Sequence, residues 1–283
     1  MSFLRNNLSN KILFEATKSI LARNERFKDI HKGESCYIFG NGASLKYFDL
    51  KLFNDRISIG CGALLTLLDI KEIDLKYYYV SHPLFFHNFW KNPYSKKYEK
   101  NKVGSFYRKK IKKHTGIQYF TSLSNYFGIQ GKNINYVYHF GQVNKFKIGS
   151  QMDGVFSMMT GALPGMIGMA LYMGFENITL VGCDYTSCPK KNSHFYEFGE
   201  KTQVNADDDI YYGEMLNSVS ELVKINTIVI DNKYKGELIP SISYFEITNS
   251  LPIYKENSEL VSPDDLLDLD SSNMSYKIYQ CEN

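Results

Sequence analysis

The chain has 283 residues, 43% hydrophobic and 22% charged, which is ordinary globular usage and excludes a disordered or fibrous protein. A formal net charge of +3 is too small for nucleic-acid binding, which needs a clearly basic domain or stripe. Five cysteines (Cys36, Cys61, Cys183, Cys188 and Cys281) form no CxxC pair and leave one over, which fits a reducing cytosol better than a disulfide framework. No run reads as a signal peptide or is apolar enough to span a bilayer, so the expected location is cytoplasmic.

In residues 1–33, Leu4, Leu8, Ile12, Ala16 and Ile20 fall at helical spacing among Arg5, Lys11, Lys18, Arg23 and Arg26. The spacing predicts a basic amphipathic helix, either laid against the domain or lying on the inner face of a membrane. Four residues suited to a buried strand then run into Gly40-Asn41-Gly42, where glycines leave the main chain bare. Such a stretch is either a tight turn or the mouth of a nucleotide pocket. Residues 57–62 predict a second strand ending in Gly60-Cys61-Gly62, and residues 75–80 a third, stopped at Ser81-His82-Pro83. Three strands ending in small or polar residues predict one crevice at the carboxyl edge of a parallel sheet.

Residues 91–113 concentrate lysine and arginine with only Glu99 opposing them. They read as a solvated basic insertion or as a docking surface for an acidic acceptor or anionic headgroups. A strand is expected at 135–140. Thr160-Gly161-Ala162 opens an apolar helical run through Met166, Met169 and Met173 that stops at Gly174, the methionines being core filler. A strand at 178–181 follows and ends in Gly182-Cys183-Asp184-Tyr185. Beyond it lie the polar loop holding His194-Phe195-Tyr196-Glu197, the acidic run Asp207-Asp208-Asp209, a helix over 212–223 and a strand over 227–230. The pattern weakens after Pro240, and the acidic, Ser-rich residues 256–272 suggest a loosely attached tail within 241–283. The whole predicts an α/β chain with a mostly parallel sheet and helices on both faces over 34–240.

The blocks at 40–46 and 160–185, with Leu84-Phe85-Phe86 behind the third strand, resemble in order and spacing the bacterial sialyltransferases that act on lipooligosaccharide. They also resemble the wider 6-hydroxymethylpterin diphosphokinase MptE-like family, which includes glycosyltransferases of surface polysaccharide and flagellin. The resemblance implies a single Rossmann-like nucleotide-binding domain and inverting, metal-independent transfer of an acidic sugar from a CMP donor to a glycan. No cofactor beyond the nucleotide sugar is implied. Donor contacts would fall on Gly40, Asn41, Gly42, Ser44, Gly62, Ser81, His82, Thr160, Gly161, Asp184, Tyr185 and Tyr196, with Tyr185 and Tyr196 nearest the leaving phosphate. The chain departs from the pattern where Gly62 replaces an Asn, and where Ser81 or His82 stands for another.

The family's catalytic His aligns with Asp207, and the nearest imidazole is His194, whose His-Phe-Tyr-Glu setting resembles the His-Tyr-Tyr motif of animal sialyltransferases. Either His194 or Asp207 can serve as base, while Asp207 can equally cap the following helix. Two other functions stay open on the sequence: an MptE-like pyrophosphokinase using ATP, and a nucleotide-binding protein without catalysis. Expected partners are the sugar donor, a glycan acceptor and a peripheral membrane surface, with a homo-oligomer left open.

Overall fold

The computed structural model describes residues 2–90, 102–139, 151–156, 161–186, 190–191, 193–199, 202–203, 209–236 and 238–271. In chain order the strands are β1 (Ser35–Phe39), β2 (Ile57–Cys61), β3 (Asp74–Val80), β4 (Gln118–Ser122), β5 (Ile134–Val137) and β6 (Asn177–Val181). They continue with β7 (Lys190–Lys191), β8 (Thr202–Gln203), β9 (Lys224–Val229) and β10 (Ser241–Ser243). Eight of them form one parallel sheet in the order β10-β9-β6-β1-β2-β3-β4-β5, and β7 pairs antiparallel with β8.

β1 is the middle of the construction. Cys36 and Ile38 enter one hydrophobic cluster and Tyr37 and Phe39 the other, so the strand is apolar on both faces, as a covered parallel strand must be. One face carries α3 (Ala162–Tyr172), packed on β1, β2 and β3, and α4 (Asp209–Ser220) through Met215, Leu216 and Val219. Met166, Met169 and Met173 are buried there as core filler. The other face carries α2 (Lys102–Lys113), α5 (Tyr244–Thr248), α6 (Asn257–Leu260) and α7 (Pro263–Ser271), through Phe106, Tyr107, Tyr244, Leu260 and Leu269. The fold is therefore α/β and Rossmann-like, with helices on both faces.

Three expectations need correction. α1 (Ser2–Leu21) does form, and over residues 12–21, where its side chains are described, Ile12 is exposed while Phe14, Ile20 and Leu21 dock. A strict four-residue spacing drifts around a helix of 3.6 residues per turn, so the expected stripe cannot stay on one face. The segment after Pro240 is not loosely attached: β10 extends the sheet, and α7 buries Leu266 and Leu269, about 1.5–3 kcal/mol each. The described part of the basic insertion is α2, and two of its lysines face that acidic helix. Lys110 is buried against Asp265, and Lys109 lies 3.1 Å from Asp268. β4 and β10 were not foreseen, and β5 ends at Val137, Phe140 lying outside the described residues. No helix among the described residues is long and apolar enough to cross a membrane.

Candidate functional site

The strand order reverses at β1. β2 to β5 run out on one side of it and β6, β9 and β10 on the other, which opens a crevice between the carboxyl ends of β1 and β6. The loops after these two strands close on each other. The Gly40 amide donates to the Val181 carbonyl at 2.9 Å and the Gly42 amide to the Gly182 carbonyl at 2.8 Å. A Cβ on Gly40 would stand 2.4 Å from the Gly182 oxygen, and one on Gly42 2.4 Å from the Asp184 carboxyl carbon, so these positions need glycine for the close approach itself. Buried Asp184 accepts from the Ser44 amide at 2.9 Å through one oxygen and from the Ser44 hydroxyl through the other. Ser44 and Asp184, both expected at the donor, thus tie the two loops together.

The next loop joins by main-chain pairing. The Ala43 amide donates to Ser193 and the Phe195 amide to Asn41, each at 3.0 Å, with Gly42 and His194 bridged antiparallel between them. His194 is thereby fixed beside the Gly40-Asn41-Gly42 turn. Its Nδ1 lies 3.1 Å from Glu197 Oε1, and its ring stacks on Tyr196 with centroids 5.0 Å apart at 11°. Glu197 and Tyr196 are buried, whereas the His194 side chain is 40% exposed. With Nδ1–H donating to the carboxylate, Nε2 holds the lone pair on the half-exposed ring, the arrangement of a general base and its orienting acid.

Asn41 explains Gly62. Its Oδ1 accepts from the Ala63 amide at 3.1 Å, and its Nδ2 has no acceptor among the described residues. Gly62 has φ +61°, and a Cβ there would stand 1.6 Å from that Nδ2. The missing side chain at the end of β2 is what gives Asn41 its place, so one amide at the crevice excludes a second at position 62.

The other predicted residues are more scattered. Tyr185 is 46% exposed and stacks on Tyr212, centroids 6.0 Å apart, at the carboxyl end of β6. Ser81 and His82 follow β3; the His82 ring stacks on Phe85, and burial lowers its pKa. Gly161 caps α3, whose chain direction places its first turn at the carboxyl edge. Thr160 and Asp207 lie outside the described residues. Reading the sequence assigned no role to Glu197, although its place three residues after His194 within one turn carries the signal. It also missed His139, whose Nε2 lies 3.1 Å from the Tyr79 hydroxyl and whose pKa burial lowers to about 4.

Beside Asp184, a shallow open recess is lined by Ser44, Cys183, Thr227, Ile228, Val229, Ile230 and Tyr234. Burial pushes the Cys183 thiol pKa up, which leaves it without thiolate character.

The strand order defines a Rossmann-like α/β domain whose switch point lies between β1 and β6. Compared with protein-family models, curated proteins and solved structures, the chain finds no match.

Proposed function

We propose that the protein is an inverting, metal-independent glycosyltransferase that moves a sialic acid-like or other acidic sugar from a CMP-activated donor to a bacterial surface glycan. One observation carries this reading: a half-exposed His194, oriented by buried Glu197, stands against the Asn41–Gly42 turn where a Rossmann-like sheet binds nucleotides. In the proposed step His194 Nε2 takes the proton of the acceptor hydroxyl as its oxygen bonds to the anomeric carbon. The bond from that carbon to the CMP phosphate breaks on the opposite face, and CMP leaves with the electron pair. Glu197 stabilises the imidazolium, Asn41 Nδ2 donates to the nucleotide, and Tyr185 donates to the departing phosphate. Asp207 remains the alternative base.

Calorimetric titration with CMP, a CMP-sugar, UDP and ATP tests the donor class. Binding of CMP and the CMP-sugar, lost in Asn41→Ala, is the expected result. Tight ATP binding with none for CMP would overturn the reading in favour of a pyrophosphokinase.

A further inference from the structure

The loop that carries His194 is held from a part of the chain remote in sequence. Lys46 is fully buried, and its ammonium has three protons and three acceptors: the Glu197 carbonyl at 2.5 Å, the Gly199 carbonyl at 2.9 Å and Glu256 Oε1 at 2.9 Å. The Tyr254 ring lies over the same nitrogen, 5.6 Å from its centroid. Glu256 Oε1 also accepts from the Gly199 amide at 3.1 Å and the Asn257 amide at 2.9 Å, while Oε2 accepts from the Tyr254 hydroxyl at 2.9 Å. Asn257 Nδ2, 61 positions away in sequence, donates to the Tyr196 carbonyl at 3.0 Å. The strap itself is pinned by main-chain bonds from Ile253 to Tyr47 and from Lys255 to Lys46.

Three successive anchor points of the loop, at Tyr196, Glu197 and Gly199, are therefore fixed by residues 253–257 and by the lysine they cover. A buried ammonium that loses its carboxylate cannot stay where it is, because an uncompensated charge in the interior draws in water or moves outward. The Glu197 carbonyl would lose its donor with it. The Glu197 side chain reaches His194 from that same residue, so the position of the base depends on an acid that does not touch it.

We infer that Glu256 is a positioning residue for the His194–Glu197 pair, acting through Lys46. The inference rests on His194 as the proposed base, and its test is built to be read separately from that proposal. Glu256→Gln keeps the shape and an acceptor oxygen but removes the charge. In the full chain, kcat should fall at least tenfold, while the donor KM and the affinity for CMP stay within about twofold. The ¹⁵N spectrum of His194 should change from one dominant tautomer with the lone pair on Nε2 to a mixture. That spectrum needs no turnover, so it reads the coupling even if the chain transfers no sugar. A folded Glu256→Gln protein with the wild-type tautomer and kcat overturns the inference and leaves the proposed activity standing. If Glu256→Gln does not fold, Asn257→Ala decides. It removes the neutral tether to Tyr196 without touching the Lys46–Glu256 charges and should shift the same spectrum in the same direction, with a kcat loss of about threefold; no change in either sinks the idea.

Discussion

The carboxyl edge of the sheet has two halves built on different terms. On the β1–β6 half, three loops are bonded to one another through Gly40, Gly42, Ala43, Ser44 and Phe195, and the groups they present are polar, with His194 half exposed. On the β3–β4 half, buried Asn125 does the knitting: it accepts from the Phe86 amide at 3.0 Å and donates to the His82 carbonyl and the Thr121 hydroxyl. There the packing is aromatic, with His82 and Trp90 against each other and against buried Phe85. Between the halves, Asn41 reaches across to the Ala63 amide. The contrast separates a polar half, where the proposed chemistry is placed, from an aromatic half, with Asn41 at the seam between them.

The largest effect should come from His194→Gln, which keeps a polar side chain of similar size. Loss of a general base lowers kcat by about 10²–10⁴-fold, with CMP affinity and the melting temperature unchanged. A residual kcat near the wild-type value would move the base elsewhere, Asp207 first. Gly62→Ala strikes the seam. The left-handed backbone and the 1.6 Å approach to Asn41 together should cost about 3 kcal/mol of stability and displace Asn41. Denaturant unfolding measures the first effect, and a CMP titration weakened at least tenfold the second. Asn125→Ala should cost about 2 kcal/mol through its orphaned partners yet leave kcat/KM within about threefold in the folded protein. A large kinetic loss there would erase the distinction between the two halves.

The parts legible in the sequence follow the same division. β1, β2, β3, β6 and β9 each carry a core of β-branched, aromatic or other apolar residues that ends at glycine or polar residues, so their existence and common edge could be read directly. β4, Gln-Tyr-Phe-Thr-Ser, follows the lysine-rich insertion and holds only two large apolar residues, so nothing in it stands out beside the charge run. β10 has three residues and joins only through β9. In the site, the Gly40-Asn41-Gly42 turn and His194 carry local signals. What binds them does not: Ser44 meets Asp184 from 140 positions away and Lys46 meets Glu256 from 210, and no local pattern encodes such a pairing. Gly62 shows the limit most clearly, since a residue that looked like a lost ligand contact is the space the Asn41 side chain occupies.

The smallest effect is also the one that tells whether the C-terminal strap belongs to the β1–β6 half. Burial alone would raise the pKa of Glu256, but the Lys46 ammonium, the Asn257 and Gly199 amides and the Tyr254 hydroxyl outweigh it and hold the carboxyl at about 2 against an ordinary 4.5. A carboxyl depressed in the folded state stabilises it above its unfolded pKa, and that contribution drains away as the pH falls from about 4.5 towards 2. Wild type should therefore exceed Glu256→Gln in melting temperature by a constant margin above pH 5, and the margin should shrink steadily below 4.5. Because the group is partly solvated, the shift is expected to be a few degrees at most. A margin that stays constant down to pH 3 would mean that Glu256 holds the strap by shape alone and that its charge does not reach the His194 loop.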